Sequence, residues 1–396
     1  MIDCVELDAQ KRWIGARQGL TLIEYARHRL RNQETGRHPM RRLKAIAACS
    51  VGLAGAAHAE GSVQAYGIVN TGVMYVSNQG GSSNLVADPG TQAPTLFGFR
   101  GTEELGGGLQ AVFKLQGQFS MKNGQSIGNL FGHESYVGLR DDKLGTLTLG
   151  NQIDFMFYSL ALDHWGSAFP FISCISLRQG PFSGLGVPNT PGGSFDFDRV
   201  AGLAMPNSVK YQSPDFGGLS VGAQYSLGGQ PGSFGNSSGQ SAGVNYHVGN
   251  LRLNGAYTYV KYPQLNAGND GIRNFGFGGS YAIGPAVAAL MYTNTENTAT
   301  GARVAVYEGD VTWAFSPAWH LNAAYQYMRG NDTLDRQSAM QGTLTLLYSF
   351  SKRTSVYADL VYQKASGAGK AWISLAPGPS SGATQVAANI GVLHAF

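Results

Sequence analysis

From Leu109 to Ser120 apolar and polar side chains take turns along the chain. Leu109, Ala111, Phe113, Leu115 and Phe119 fall on one face, and Gln110, Lys114, Gln116, Gln118 and Ser120 on the other. A two-residue period marks a strand whose faces meet different surroundings. Residues 63–76 repeat it, with Val63, Ala65, Gly67, Val69, Val73 and Tyr75 set against Gln64 and Asn70. Sixteen such segments run from 62–76 to 385–396, broken by Gly, Pro, Asn and Asp. The pattern predicts an all-β, antiparallel protein, and the even strand number suits a bacterial transmembrane barrel.

The connections separate a barrel from a two-sheet sandwich. Short ones at 104–107, 141–143, 214–217, 249–250, 284–285, 316–317 and 351–352 alternate with longer ones, among them 77–94, 121–130 and 365–384. Seven short turns and eight long loops put both ends of the sheet on the short-turn side. A sandwich gives no reason for that asymmetry, whereas an outer-membrane barrel has short periplasmic turns and long outer loops. Tyr211, Phe216, Tyr225, Tyr246, Tyr281, Phe315, Tyr348 and Phe350 gather near strand ends. Amphipathic rings settle at lipid-water boundaries and read as girdles.

One connection, 153–205, is far longer than the others. It carries Phe155, Phe157, Trp165, Phe169, Pro181, Pro188 and Pro191, with no lasting period of 2 or 3.6. A loop of that length within one domain calls for a function. It is expected to fold into the mouth of a pore and narrow it.

Composition agrees with a barrel. The 396 residues are 13% charged and include 56 Gly, and the mean hydropathy is -0.12. Lipid-facing apolar residues alternating with polar ones average to such a value. No run of eighteen apolar residues follows residue 59, so strands remain the way to span. Net charge is +4, but residues 1–59 hold ten basic and five acidic residues, leaving 18 basic against 19 acidic beyond them, out of 28 and 24. A nearly neutral chain without a basic stripe is no nucleic-acid binder. Nothing in it calls for a cofactor or a metal. Cys4 and Cys49 precede residue 60, so Cys174 is the lone thiol after it, expected as a small buried hydrophobe.

The leader explains the charge difference. Met40-Arg41-Arg42-Leu43-Lys44 is a basic segment, 45–57 is small and apolar, and Ala57-His58-Ala59 fits a cleavage site. Residues 1–39 are read as an upstream extension outside the mature protein, 40–59 as a signal peptide and 60–396 as the barrel.

Several motifs in order give the chain a resemblance. Ala65-Tyr66-Gly67, the run Gly98-Phe99-Arg100-Gly101-Thr102-Glu103-Glu104-Leu105-Gly106-Gly107-Gly108-Leu109, Tyr136-Val137-Gly138-Leu139, Gly145-Thr146-Leu147-Thr148-Leu149-Gly150, Asn207-Ser208-Val209-Lys210-Tyr211 and the terminal Phe396 resemble those of Gram-negative general diffusion porins, above all the beta-proteobacterial group. The resemblance implies a sixteen-stranded homotrimer in the outer membrane, in contact with lipid and lipopolysaccharide. It also implies a third loop folded into the lumen, acidic residues of that loop facing a basic wall, and a Phe396 that closes the barrel and is read by the barrel-assembly machinery. Such a channel passes small hydrophilic solutes and ions by passive diffusion. The chain departs from the basic wall, having Leu96, His133, Asn151 and Met205 where relatives commonly place arginines.

A diffusion pore needs a polar wall, a size limit and a field rather than a catalytic set. The candidate charges are Arg100, Lys114, His133 and Lys210 with Asp154, Asp163, Asp196 and Asp198 of the loop; Arg252, Glu308, Asp310 and Asp359 are further candidates. Fewer wall arginines predict a weakly selective or mildly cation-preferring channel, and His133 a response between about pH 5 and 8.

Three other readings compete. A sugar- or organic-acid-specific channel needs aromatics on lumen faces, a lipase or protease could use His164 with Asp163 and a nearby serine, and a secreted adhesin would need no detergent. No G-x-S-x-G elbow surrounds His164, and proximity in sequence is weak support for a triad.

Overall fold

Each strand of the alternating pattern satisfies its backbone only by pairing on both edges, so the sheet is stable in lipid only when closed. The computed structural model describes residues 61–396; the upstream extension, the signal peptide and its cleavage site lie outside the described residues. Sixteen long strands follow in order: β1 (Ser62–Gln79), β2 (Leu96–Gly106), β3 (Leu109–Phe119), β4 (Glu134–Asp141), β5 (Gly145–Ile153), β6 (Ala204–Gln212), β7 (Leu219–Ser226) and β8 (Gly239–Val248), then β9 (Leu251–Lys261), β10 (Gly271–Ile283), β11 (Ala286–Asn297), β12 (Arg303–Ala314), β13 (Trp319–Gly330), β14 (Ser338–Ser349), β15 (Thr354–Ala365) and β16 (Thr384–Ala395). Every one pairs antiparallel with its sequence neighbours. Two short strands, Ser82–Asp88 and Ser126–Ile127, sit inside loops that sequence reading left plain.

Closure comes at β1. Its first half pairs with β2, from Ser62 opposite Thr102 to Ile68 opposite Leu96, and its second half with β16, from Ile68 opposite Ala395 to Val76 opposite Ala387. Ser82–Asp88 then covers the edge of β1 that β2 leaves open. Beyond β16, Phe396 and Gly67 exchange backbone hydrogen bonds of 3.0 and 3.2 Å. Among the described residues the ring therefore closes without a free strand edge to template aggregation.

The alternation is inverted relative to a soluble protein. On β14 Gln341 is fully buried while Leu344 is 47% exposed. The polar side chains turn inward and the apolar ones outward, the parity of a barrel in lipid. At the short-turn end a chain of rings, Trp313, Phe315, Trp319, Tyr348 and Phe350, runs round the outside with centroids 4.7 to 6.4 Å apart. This is one of the girdles expected from the strand-end aromatics.

Candidate functional site

The stretch between β5 and β6 starts with helical turns, Phe155–Phe157 and Tyr158–Asp163. Inward-facing glycines make room for them. A Cβ on Gly222 would stand 2.1 Å from the Phe155 ring, one on Gly243 2.4 Å from Ser159 Oγ, one on Gly276 2.7 Å from Leu160, and one on Gly278 2.8 Å from the His164 ring. Four bare backbone positions on β7, β8 and β10 thus form a shallow bed. Phe155, Phe157, Leu160, Trp165 and Phe169 fill it and are buried. Sequence reading missed this bed, whose only trace is glycine on the inward parity of three strands.

Polar contacts continue the attachment around the inner wall. The Phe155 N–H donates to Ser241 Oγ at 2.9 Å, and Ser280 Oγ donates to the His164 carbonyl. Asn274 Nδ2 donates to the Phe197 carbonyl at 2.7 Å and Asn297 Nδ2 to that of Leu185 at 2.9 Å. Trp165 Nε1 donates to Asp310 Oδ2 at 2.9 Å, and Gln326 Nε2 to the Ser176 carbonyl at 2.7 Å. The wall's amides and hydroxyls meet backbone groups that a loop must otherwise leave to water, and Asp310 meets the Trp165 indole N–H.

Charge is compensated within this assembly. Asp154 is ion-paired with Arg199, and Asp198 with Arg178, whose Nε lies 3.3 Å away. Arg178 also reaches Glu308 on β12, and Asp198 accepts from Thr293 Oγ1 at 2.7 Å. Asp163 contacts His247 Nε2 at 2.6 Å and accepts from Asn254 at 2.8 Å, with Arg252 at 3.6 Å. Asp196 caps a turn by accepting from the Ala201 N–H at 3.3 Å. Burial, then neighbouring Asp198, pushes its carboxyl well above the ordinary range.

Asp163 thus meets the wall at Arg252 and His247, whereas Asp154 and Asp198 do not face wall arginines. The two arginines of the loop itself, Arg178 and Arg199, neutralise Asp198 and Asp154, and at the wall a loop cation meets a carboxylate. They are the only arginine or lysine residues between 154 and 203, and their presence in the loop is the sequence signal for this pairing.

On β2 to β6 the candidates form a second group. Lys114 is ion-paired with Glu134 at 2.7 Å, and Tyr158 donates to Glu134 at 3.3 Å. Lys210 donates to the Ile153 carbonyl at 2.8 Å, with its ammonium 3.6 Å from the Tyr158 ring centre. Arg100 is half-buried, donates to Gln64 at 3.0 Å and lies over Tyr66. His133 is half-buried, and its backbone N–H donates to the Gln116 carbonyl at 3.2 Å. Leu96 and Met205 are buried. Asp359 accepts from Thr345 at 2.7 Å and from Thr91 Oγ1 at 3.0 Å, and the Thr91 carbonyl accepts from Ser173 of the long loop at 2.8 Å.

His164 belongs to the docking surface. Its neighbour Asp163 turns to His247 instead, so the triad geometry is absent. Burial holds the His164 imidazole at about 4, below its ordinary 6.5. The ring thus stays neutral when the loop is docked, and charges near 6.5 when it is released. Its stabilising contribution is complete above that pH and is lost as pH falls from about 6.5 to about 4, on the order of 3 kcal/mol at the acid end. Single-channel recordings between pH 7 and 4 should show current noise rising in the wild type and far less in His164→Phe. Cys174 is buried and its thiol is pushed up to about 12 by that burial, which fits an inert hydrophobe.

A family model described as Gram-negative porin matches residues 45–368. An outer membrane porin protein of Bordetella pertussis is 31% identical over 291 residues, covering 65% of this chain and 70% of that one. Outer membrane porin protein 32 of Delftia acidovorans is 29% identical over 370 residues, 89% of this chain and 99% of the relative. Among solved structures, the anion-selective porin from Comamonas acidovorans superposes with a TM-score of 0.71 over 85% of this chain and all of that one, at 22% identity.

Proposed function

The chain belongs to the Gram-negative porin family, an outer-membrane β-barrel channel and not an enzyme, and we propose that the loop 153–205, docked on the inner wall of β7 to β13, sets the width and the field of its passage. The observation that carries this reading is the Arg178 contact with both Asp198 of the loop and Glu308 of the wall. It ties the middle of the loop to the inward face of β12, which is where a constriction would be held.

The passage is a general one for small hydrophilic solutes and ions. Buried Phe155, Phe157, Trp165 and Phe169 anchor the loop and offer no exposed aromatic track for a sugar, which speaks against the substrate-specific alternative. Weak ion preference is supported by the internal pairing of Lys114, Arg178, Arg199 and Arg252 with carboxylates. Wall charges that already have partners project little field into water. A tenfold salt gradient should give a reversal potential near zero or slightly cationic, and a strongly anionic one would sink this reading. His133, half-buried beside that passage, is proposed to tune conductance between about pH 5 and 8, which His133→Gln should flatten.

A homotrimer is proposed as the working form, and Phe396 as the segment the barrel-assembly machinery reads. Crosslinking in native membranes should give a three-subunit ladder.

A further inference from the structure

The short strand Ser82–Asp88 and β2 both pair with β1, but the chain between them is too long for the gap. Asp88 stands opposite Gly72 and Leu96 opposite Ile68, so the seven residues 89–95 face only the three residues 69–71. The surplus cannot lie in the sheet and leaves it as a bulge. Bulges of this kind re-aim side chains next to functional sites. Here Gly90, Thr91, Gln92, Ala93 and Thr95 are all buried, unlike the residues of an outer loop that meets water. Gly90 turns the chain at a φ of +100°, where an added Cβ would stand 2.9 Å from the Ala93 carbonyl oxygen. Asn70 Nδ2 donates to that carbonyl at 2.8 Å, and Thr95 Oγ1 accepts from the Asn70 N–H and donates to the Asn70 carbonyl, each at 3.1 Å.

The bulge is held from two sides. Towards the wall, Thr91 Oγ1 lies 3.0 Å from Oδ2 of both Asp88 and Asp359 and accepts from Asn389 Nδ2. Tyr357 Oη lies 2.8 Å from Asp88 Oδ2 and 2.6 Å from Asn70 Oδ1. Two hydroxyl protons thus serve four oxygen contacts that join the bulge to β1, β15 and β16. Loss of either hydroxyl leaves a buried carboxylate short of a donor. Towards the lumen, the Thr91 carbonyl accepts from Ser173 Oγ at 2.8 Å, and Gln92 Nε2 donates to the Pro170 carbonyl at 3.0 Å. Pro170 and Ser173 lie where two turns of the long loop meet, Gly166–Phe171 and Cys174–Ser176. The stretch from Pro170 to Arg178 is therefore tied at one end to the bulge and at the other to Glu308 of β12.

We propose that residues 89–95 are a second inward segment that sets the long loop against the passage, with Thr91 and Gln92 as its positioning residues. This rests on the reading that the loop 153–205 sets the width of the channel. Thr91 couples the two sides, since its hydroxyl meets the wall and its carbonyl meets the loop. A buried polar network is favourable only when its members are satisfied together, so the bulge is seated as a unit or not at all. The channel then has two discrete widths, the narrow one with the bulge seated and the wide one with Pro170 and Ser173 released.

The test records the full-length protein in planar bilayers, with polyethylene glycols of graded size added to read the exclusion limit. Thr91→Val keeps the shape of the side chain and removes the shared hydroxyl. It should show a second, higher conductance level, occupied at least about tenfold more of the time than in the wild type, as expected on losing a hydrogen bond to a carboxylate. Gln92→Leu leaves the wall network intact and cuts the bond to Pro170; it should raise occupancy of the same level about fivefold, the effect of one neutral bond. Larger polymers should enter at that level. Thr91→Ser restores the hydroxyl and should return the wild-type record. A purely structural role would lower the folded yield, read by heat-modifiable mobility on gels, without adding a level. If Thr91→Val does not assemble, Gln92→Leu decides. One wild-type level and an unchanged exclusion limit in these variants, or Thr91→Ser behaving as Thr91→Val, would overturn the proposal. Should Arg178→Met still alter the conductance in that case, the bulge alone is dismissed; should it not, the constricting role of the long loop falls as well.

Discussion

Arg178→Met is expected to free the long loop from the wall and raise single-channel conductance, with rapid current fluctuation in place of a steady level. The side chain is almost completely buried, between Asp198 and Glu308. Removing it leaves two carboxylates facing one another without their cation. Breaking a buried pair from one side costs about 3–5 kcal/mol, because the stranded charge has lost its water and gained nothing. Thr293 and Gln326 still donate to these carboxylates, but they do so already with Arg178 in place and return nothing new when it is removed. The least costly response is for the loop to move away and let water in. A triple variant, Arg178→Met with Asp198→Asn and Glu308→Gln, removes all three charges together and should recover a steady conductance. If Arg178→Met alone records as quietly as the wild type and resists protease in the loop, the ion pair is not what holds the loop.

The strands were legible and the docking was not, and the difference is physical. An inward or outward side chain obeys a period of two set by the backbone alone, so Leu109 to Ser120 reports its faces without any knowledge of its partners. Strand number and the alternation of loop lengths follow from the same local rule. The docking depends on pairs distant in sequence, such as Arg178 with Glu308 and Trp165 with Asp310, and one chain read alone does not register them. The bed formed by Gly222, Gly243, Gly276 and Gly278 shows the limit most clearly. Each glycine is unremarkable in its own strand, and only the approach of Phe155, Ser159, Leu160 and His164 explains it. The partners of the loop's charges were legible only in part, Asp163 with Arg252 among them. The loop's acids suggested a cationic wall opposite, whereas Arg178 and Arg199 satisfy two of them from within the loop.

Gly67→Val should have the largest effect on assembly. Gly67 lies where β1 passes from pairing with β2 to pairing with β16, and it exchanges backbone hydrogen bonds with Phe396. A Cβ there would fall 2.4 Å from the Phe396 ring and 2.8 Å from the Leu96 carbonyl oxygen. The ring could rotate away, but the carbonyl belongs to the β2 backbone and could yield only by shifting the strand. Overpacking of this kind costs about 1–3 kcal/mol even where side chains alone must move. Here the displaced group lies on the seam that closes the ring, and an unclosed seam exposes unpaired N–H and C=O groups to lipid. Folded protein, measured by its heat-modifiable mobility on gels, should fall severalfold in Gly67→Val, whereas Phe396→Ala, which keeps both backbone bonds and removes only the ring, should cost less. Gly67→Val with Phe396→Ala separates the two clashes. Full recovery of folding in that double variant would mean that the ring alone sets the limit at Gly67, and partial recovery that the Leu96 carbonyl does.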